Sequence, residues 1–312
     1  MIDDDIRTHP SRPLVEVIED VGQLTEPELG GSTTAARVLR QANGGLGFGR
    51  HGESVAPCHA RHVRALVLVM AMSATAAAAP CDELPVLAHS GEIVVRGQLS
   101  PAQLKKALAL VDGVVGDVGR RFGAAPAHPV TLCLLGDAKA YTRTASAFGD
   151  IPSEWGFYRP DLRIAIANVG QSIGNLRHEL VHPLLGDDFP AIPAWLNEGI
   201  AALYGSSRPT KHGFEFLVNY RLRDLKLALA EDDLPTLAEL AASTDDDVRG
   251  DRAAVFYAMS RYVLLYAERE GKLPALYAAL RDASGDVVKQ QKILAATVDE
   301  RAFRAWVGKL RY

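Results

Sequence analysis

The motif His178-Glu-Leu-Val-His182, with Glu198 sixteen residues after its second histidine, constrains this chain more than any other feature. On a helix, positions i and i+4 lie on one face, so His178 and His182 can direct their imidazoles to a common point. Glu179 lies one step round the helix, beside that point. Zinc hydrolases use this arrangement, because two nitrogens bind the metal while the carboxylate handles a water molecule. A catalytic zinc takes a third protein ligand, and Glu198 is the candidate.

Coincidence is the alternative explanation for the motif. From composition, a chance His-Glu-x-x-His in a chain of 312 residues has a probability of about one in a hundred. Apolar residues recur at spacings of three and four and favour a buried helix: Ile173, Leu176, Leu180 and Leu184. Histidines at the border of such a face need polar partners, and a metal ion supplies them. We therefore predict a Zn2+ site with His178, His182 and Glu198 as its ligands.

Four segments in this part of the chain together resemble the gluzincin metallopeptidases, specifically the peptidase MA-like group. They are Trp155-Gly-Phe-Tyr, Arg163-Ile-Ala-Ile-Ala, the His178–His182 motif and Pro193-Ala-Trp-Leu-Asn-Glu-Gly-Ile-Ala. The resemblance covers about residues 129–203 and extends more loosely to the C-terminus. It implies a zincin-like α+β fold, in which an N-terminal mixed sheet with the motif helix precedes a helical C-terminal subdomain. It also implies zinc-dependent hydrolysis of peptide bonds.

The resemblance further implies roles for individual residues. Glu179 would act as the general base toward the attacking water and return the proton to the leaving amine. A tyrosine or histidine beyond the glutamate ligand often stabilises the oxyanion in this family; Tyr257 lies fifty-nine residues beyond Glu198, and His212 is its competitor. A packing role for Tyr257 stays open, because it lies among other aromatic residues. The strand Arg163–Asn168 would pair with an extended peptide substrate through backbone hydrogen bonds.

Two positions depart from the pattern of the family. Pro183 directly follows the second histidine, where it removes a helix hydrogen bond and disfavours helical geometry at His182. Ala202 stands four residues after Glu198, where thermolysin-like relatives carry a carboxylate behind the ligands. Neither departure removes a ligand.

The first eighty residues differ from the rest of the chain. Residues 1–60 combine an acidic start with a Gly-rich run and no sustained periodicity, so we predict a non-native or disordered extension. In residues 61–80, Arg61-His-Val-Arg precedes an apolar run that ends in alanines, which is the pattern of a secretory signal peptide. A buried core helix is the alternative, since the run is too short for a membrane span. Translation from Val63 would place this signal first, and we then expect an exported bacterial protein, periplasmic or secreted, without a stable membrane span.

Cysteine usage fits export. Removal of the leader leaves Cys81 and Cys133, an even pair that could close one disulfide in an oxidising compartment. Cys133 lies in an apolar run, however, and could equally be a buried free thiol. Cys81 follows Pro80 rather than a small residue, which is a poor match to a lipoprotein anchor.

Turn and cap signals place strands and two helices before the motif. The predicted strands are Val86–His89, Glu92–Arg96, Val130–Leu135, Trp155–Tyr158 and Arg163–Asn168, and the last two form a hairpin around Arg159-Pro-Asp-Leu. One predicted helix begins at Ser100-Pro101 and ends at Gly123, and a short one spans Ala138–Phe148. Ser172 is expected to cap the motif helix, with Gly186 near its end.

Helical spacing dominates the chain after Glu198. The predicted helices are Phe214–Leu229, Leu234–Ala242, Arg252–Glu270, Leu273–Arg281 and Glu300–Leu310. Asp245-Asp-Asp is predicted to be a solvated loop ahead of a helix rather than a metal site. Strands followed by helices indicate an α+β fold, with residues 81–190 carrying the motif and residues 191–312 forming the helical subdomain with the third ligand. The zinc would lie in the cleft between these two parts.

Composition narrows the class of function. A formal charge of −4, a pI near 6.1 and the lack of a run rich in lysine and arginine argue against a nucleic-acid partner. A hydrophobic content of 48% suffices for a large core, and we expect a peptide or protein substrate. Two alternatives to a zinc metallopeptidase stay open. One is a non-catalytic zinc-binding protein of the cell envelope with the same fold, and the other is a scaffold without metal.

Overall fold

The computed structural model describes residues 80–149, 151 and 153–312, all of which belong to one compact unit of the chain. The predicted extension 1–60 and the predicted signal peptide, apart from Pro80, lie outside the described residues. The described part is mixed α+β, with a five-stranded mixed sheet, a two-stranded hairpin and eleven α-helices. None of its helices has the length and the apolar character that a membrane span requires.

The five-stranded sheet precedes most of the helices in the chain. Its strands are β1 (Val86–Ser90), β2 (Ile93–Gln98), β3 (Val130–Leu135), β4 (Gly156–Arg159) and β5 (Ile164–Asn168), in the order β1-β2-β3-β5-β4. The three central strands run parallel, and β1 and β4 are antiparallel to their neighbours at the two edges. These strands confirm the ones predicted from alternation and turn signals, including the hairpin of β4 and β5.

The position of β5 corrects one expectation about substrate binding. β5 pairs with β3 on one side and with β4 on the other, so its backbone groups are already used in the sheet. The strand Arg163–Asn168 therefore cannot pair with a peptide along its length. The sequence carries no signal for which strand forms the edge of the sheet.

Side chains alternate between the two faces of the sheet, and helices cover both faces. These helices are α1 (Pro101–Phe122), α2 (Ala138–Ala145) and α3 (Ile173–Asp188). Leu132 and Leu134 of β3 belong to the core formed with α1 and α3. Cys133 and Leu135 point to the other face, where α2 and a short 3-10 turn after it pack. The sheet is therefore buried on both sides, as its parallel centre requires.

The disulfide that the sequence left open is present. Cys81 and Cys133 are joined, with their Cα atoms 6.1 Å apart, and both are fully buried on the α2 face. The bridge links residues separated by 52 positions and ties the segment before β1 to the middle of the sheet. A cross-link across a loop of this size stabilises the fold by about 4 kcal/mol through the entropy of the unfolded chain.

Helices dominate the chain after α3. They are α4 (Ala194–Gly205), α5 (Leu222–Ala230), α6 (Leu237–Ala241), α7 (Asp245–Arg249), α8 (Ala253–Arg269), α9 (Leu273–Asp282), α10 (Val287–Thr297) and α11 (Glu300–Lys309). A hairpin of β6 (Ser207–Thr210) and β7 (Gly213–Phe216) separates α4 from α5. α4 packs against α3 and against α8, so it lies between the sheet side and the later helices.

Two predictions about this region need correction, and one helix was not predicted. The predicted helix Phe214–Leu229 is wrong over its first part, because Phe214 and Phe216 are buried and Glu215 is exposed, which is the two-residue period of a strand. Asp245 to Asp247 lie in the short helix α7 rather than in a loop, since the Asp247 carboxylate accepts a hydrogen bond from the Thr244 backbone N–H at 2.8 Å. The helix α10 has no counterpart among the predicted helices.

Pro183 lies inside α3 rather than at its end. The helix continues to Asp188, so His182 keeps helical geometry although a proline follows it. The neighbouring side chains of Leu180, Leu184 and Leu185 are fully buried. Their packing outweighs the local cost of a proline within a helix, which is about 3 kcal/mol. The expected distortion at His182 is therefore overridden by the core.

Candidate metal centre

The helix α3 presents the motif, and a cap fixes where this helix begins. The Ser172 hydroxyl accepts a hydrogen bond from the backbone N–H of Gly174 at 3.2 Å, as the sequence predicts. Most of the predicted apolar stripe is fully buried, including Leu176, Leu180 and Leu184. With this stripe held in the core, His178 and His182 lie on one face with their ring centroids 4.9 Å apart.

Close packing of α4 on α3 brings Glu198 to the motif. A Cβ added to Gly174 would lie 2.6 Å from the carbonyl oxygen of Gly205, so only glycine permits this approach. Arg177 holds the same junction, because its Nε donates to the Tyr204 carbonyl at 2.9 Å and its Nη2 to the Gly205 carbonyl at 3.3 Å. These carbonyls lie at the C-terminal end of α4, where a cation is favourable. Glu198 is consequently buried against the motif helix.

His178, His182 and Glu198 form a group, called the ligand group below, in which one ligand atom from each lies within 4.8 Å of the others. Oε2 of Glu198 is 3.4 Å from Nε2 of His178 and 4.0 Å from Nε2 of His182. Donors at 2.0–2.1 Å from a tetrahedral ion lie roughly 3.4 Å from one another. The ligand group could therefore hold a metal ion, and its members are the three residues predicted from spacing.

Asn197 orients His182, a role that was not predicted from the sequence. Its Oδ1 lies 3.1 Å from Nδ1 of His182. Because the amide oxygen only accepts, this pairing places the imidazole proton on Nδ1 and leaves the lone pair of Nε2 for a metal. The only feature of the sequence that points to Asn197 is its position directly before the predicted ligand Glu198. Asn197 supplies a polar partner behind the ligands, although Ala202 replaces the carboxylate expected there.

Glu179 lies beside the ligand group. It is buried, and its Oε2 is 3.9 Å from Nε2 of His182. Gly156 of β4 makes room for it, because a Cβ at this position would lie 3.0 Å from Cγ of Glu179. Burial raises the pKa of Glu179 to about 7, with His178 opposing this shift and Glu198 adding to it. A carboxyl with such a pKa can take up and release a proton near neutral pH.

Glu198 and His178 have opposite protonation preferences. Burial acts to raise the pKa of Glu198, but the charges of the two histidines and a hydrogen bond from Tyr257 hold it far below its usual value. Burial acts to lower the pKa of His178, but the hydrogen bond with Glu198 and the charge of Glu179 raise it, while Arg221 opposes them. Without a metal, the pair therefore favours imidazolium with carboxylate. Metal binding displaces such a proton.

The two candidates for the oxyanion donor lie in different surroundings. Tyr257 is half-buried on α8, and its hydroxyl donates a hydrogen bond to the Glu198 carboxylate. His212 is exposed at the turn between β6 and β7, where its carbonyl oxygen accepts a hydrogen bond from Arg120 at 3.1 Å. Tyr257 thus contacts the ligand group directly, whereas the hydrogen bond at His212 joins it to α1.

The strand β4 borders the ligand group. The ring of Tyr158 stacks on the imidazole of His182, with centroids 6.3 Å apart and planes inclined by 15°. Gly156 and Tyr158 are alternate residues, so one face of β4 is directed toward Glu179 and His182. Among the described strands, β4 pairs on one side only. It is therefore this strand, and not β5, that has one edge without a neighbouring described strand near the ligands.

Comparisons with known proteins leave the family open. A scan against protein-family models gives no match for this chain, and a search of curated proteins gives none either. The likeness to gluzincins therefore rests on the four sequence segments named above and on the grouping of His178, His182 and Glu198.

Proposed function

We propose that this chain is a zinc metallopeptidase of the gluzincin type, with a zincin-like arrangement of its sheet and helices. The observation that carries the proposal is the ligand group with the buried carboxylate of Glu179 beside it. A structural zinc site is closed by four protein ligands, whereas a catalytic site has three and keeps one position open. Three ligand-type side chains converge in the described part of the chain, and the carboxylate of Glu179 lies 3.9 Å from one of them, His182, which supports a role as the base.

The donor set supports zinc as the metal. Two imidazole nitrogens and one carboxylate oxygen are its ordinary ligands in hydrolases. When bound here, zinc would act as a Lewis acid and lower the pKa of a water ligand to about 7. Asn197 would keep Nε2 of His182 directed at the ion.

Glu179 would move the proton in both halves of the reaction. Its buried carboxylate lies 3.9 Å from the imidazole of His182, so it is the group that would accept a proton from the attacking water. The water oxygen forms a bond to the carbonyl carbon of the peptide, and the C–N bond then breaks. Glu179 returns its proton to the leaving nitrogen, so the carboxylate is restored at the end of the cycle.

Tyr257 is the proposed donor to the negative charge that develops on the carbonyl oxygen. A phenolic hydroxyl is neutral at pH 7 and donates one hydrogen bond, which suits this task. Its contact with Glu198 places the hydroxyl at the ligand group. Rotation about the C–O bond would let the same hydroxyl turn from the carboxylate to the substrate oxygen.

An extended peptide or protein segment is the proposed substrate. The free edge of β4 could accept such a segment by backbone hydrogen bonds and lay it across the ligand group. The exported location remains part of the proposal, supported by the buried disulfide between Cys81 and Cys133. Disulfides persist in oxidising compartments such as the periplasm or the extracellular space.

A cleavage experiment with metal control tests this function. The purified full chain is incubated with a proteome-derived peptide library, and the products are identified by mass spectrometry. We expect cleavage by the zinc-loaded protein, loss of cleavage with a chelator and recovery when zinc is restored. Bound zinc without cleavage of any peptide would replace the peptidase by a non-catalytic zinc protein. Cleavage that persists after complete zinc removal would refute the proposed mechanism.

A further inference from the structure

Arg261 on α8 is a buried cation whose charge meets no carboxylate in the part of the chain that the structure describes. Its side chain is 0% exposed, and its Nη2 donates to the carbonyl oxygens of Leu217 and, at 3.5 Å, Ser206. Its Nε and Nη1 find no hydrogen-bond partner among the described residues. Burial lowers the pKa of Arg261 to about 10. Burial of a charged guanidinium without a nearby negative charge costs free energy, and an anion that comes near it reduces this cost.

Arg221 is a second cation with aromatic neighbours in place of a carboxylate. Its guanidinium lies 4.8 Å from the ring centroid of Tyr257 and 5.3 Å from that of Tyr220. Tyr257 in turn donates to Glu198, so one side chain separates Arg221 from a proposed metal ligand. Arg221 is half-buried at the start of α5, which leaves part of its guanidinium accessible.

The two arginines, called the arginine pair below, both lie close to Tyr257. Tyr257 and Arg261 lie four residues apart on α8 and therefore share a face of that helix. The charge of Arg221 is also one of the influences that lower the pKa of Arg261, after the larger effect of burial. Neither arginine forms an ion pair with a carboxylate among the described residues, so the arginine pair carries positive charge that no described side chain pairs with.

We propose that Arg221, supported by the field of Arg261, binds a carboxylate of the substrate next to the scissile bond. This inference rests on the proposed peptidase function and adds a substrate class to it. The carboxylate belongs either to the C-terminus of a peptide or to an Asp or Glu side chain, since a guanidinium binds both in the same bidentate way. Arg261 keeps its main-chain contacts and acts through its charge, so Arg221 is the residue that touches the substrate.

A binding experiment with the metal-free full chain tests this subsite without relying on catalysis. The probes are three tripeptides: N-acetyl-Ala-Gln-Ala amide, N-acetyl-Ala-Glu-Ala amide, and N-acetyl-Ala-Gln-Ala with a free C-terminus. Calorimetry should give at least one carboxylate probe an affinity roughly tenfold or more above the uncharged amide. Which of the two binds better distinguishes a side-chain carboxylate from a C-terminal one. Equal or unmeasurable binding of all three probes would overturn the proposal.

Variants show whether Arg221 is responsible. Arg221→Met should abolish the preference for the carboxylate, and Arg221→Lys should keep part of it. Arg223→Met is the matched control on the same helix, because Arg223 has a side chain that is 77% exposed and is paired with Asp224 at 3.6 Å. It should leave the preference unchanged. A preference that survives Arg221→Met, or one that Arg223→Met removes equally, would contradict the assignment.

A cleavage arm separates the subsite from the peptidase function itself. The zinc-loaded protein is given a peptide library in its natural form and the same library with every carboxyl group amidated. We expect cleavage to fall at least about tenfold in the amidated library. Equal cleavage of both libraries would leave the peptidase standing and overturn the subsite. A carboxylate preference in binding without any cleavage would keep the subsite and overturn the peptidase.

Discussion

Two groups of buried charges lie against α4, and they are built in opposite ways. In the first, called the scaffold group, Asp117 is 1% exposed and accepts hydrogen bonds from Arg120 at 2.6 Å and Arg121 at 2.9 Å. The hydroxyl of Tyr204 donates to the same carboxylate at 2.7 Å. Arg121 also pairs with Glu268 at 2.5 Å, so the group links α1, α4 and α8. Its central carboxylate is matched by partners that the chain itself provides.

The second group consists of the ligand group, Glu179 and the arginine pair. Here two carboxylates share one small space, and the pKa of Glu179 is raised while that of Glu198 is lowered. Arg261 lies nearby with two nitrogens that have no hydrogen-bond partner among the described residues. Buried charges that the chain leaves unbalanced are costly, whereas matched ones hold the fold together. This difference supports our proposal that the second group takes up a metal ion and a substrate from outside the chain.

Among changes to the second group, Glu179→Gln should have the largest effect on turnover. The amide keeps the shape of the side chain but cannot accept a proton, so turnover of the zinc-saturated protein should fall about 100- to 10,000-fold. Bound zinc should be unchanged, because Glu179 is not a ligand. Glu215→Gln, which alters an exposed carboxylate of β7, is the control and should keep full turnover. Substantial turnover of Glu179→Gln would exclude this residue as the general base.

Asp117→Ala should break the scaffold group instead. Loss of a buried carboxylate that pairs with Arg121 should lower the free energy of unfolding by about 3–5 kcal/mol, measured by denaturant titration. Zinc stoichiometry of the folded variant should stay the same. Asp112→Ala is the control on the same helix, since this residue is exposed, and it should change stability by less than about 0.5 kcal/mol. A loss of zinc without a loss of stability would mean that the two groups are not separate.

Tyr257→Phe tests whether the Tyr257 hydroxyl takes part in catalysis or only positions Glu198. Removal of one donor to an oxyanion costs roughly a hundred- to a thousand-fold in turnover, or about 3–4 kcal/mol. We expect a fall of this size in kcat at saturating zinc, with zinc affinity and thermal stability nearly unchanged. If kcat is normal and zinc binds more weakly, the hydroxyl serves only to position Glu198. If only the melting temperature falls, Tyr257 is a packing residue and His212 is the next candidate.

Asn197→Ala should have the smallest effect of these changes. Without its oxygen, His182 loses the partner that fixes its tautomer, so zinc affinity should fall about 10- to 100-fold. Turnover at saturating zinc should remain near that of the unaltered protein. Asn197→Asp keeps an acceptor at this position and should restore most of the affinity. An unchanged zinc affinity in Asn197→Ala would show that the imidazole is oriented by other contacts.

The sequence was sufficient for the ligand group because its signals are local. The spacing of His178 and His182 defines one helix face, and Ser172 marks where that helix begins. Glu198 follows in a short helix after a brief loop. The strands before the motif were also predicted, since each alternates and is bounded by turn residues. These local preferences predict the structure correctly because the packing of the core favours the same conformation.

Predictions from the sequence were wrong or missing where tertiary contacts determine the local structure. Residues 214–216 follow the period of a strand for too few positions to outweigh the helical spacing after them. Pro183 argues for a helix end, but the packing of α3 on the core keeps the helix intact. The proposed roles of Arg221 and Arg261 depend on where α5 and α8 approach the ligands. No local pattern encodes such an approach, so these residues could be recognised only in the folded chain.

Zinc content is the most direct test of the proposed zinc site. Metal-free protein is titrated with zinc, and the bound metal is measured after removal of the excess. We expect one zinc ion per chain. Zinc binding should be sharply weakened in His178→Ala, His182→Ala and Glu198→Ala, because each variant lacks one of three protein ligands. His89→Ala, which removes an exposed histidine of β1, should bind zinc normally. Full zinc binding by Glu198→Ala would show that Glu198 is not a ligand, and no zinc binding by the unaltered protein would rule out the proposed zinc site.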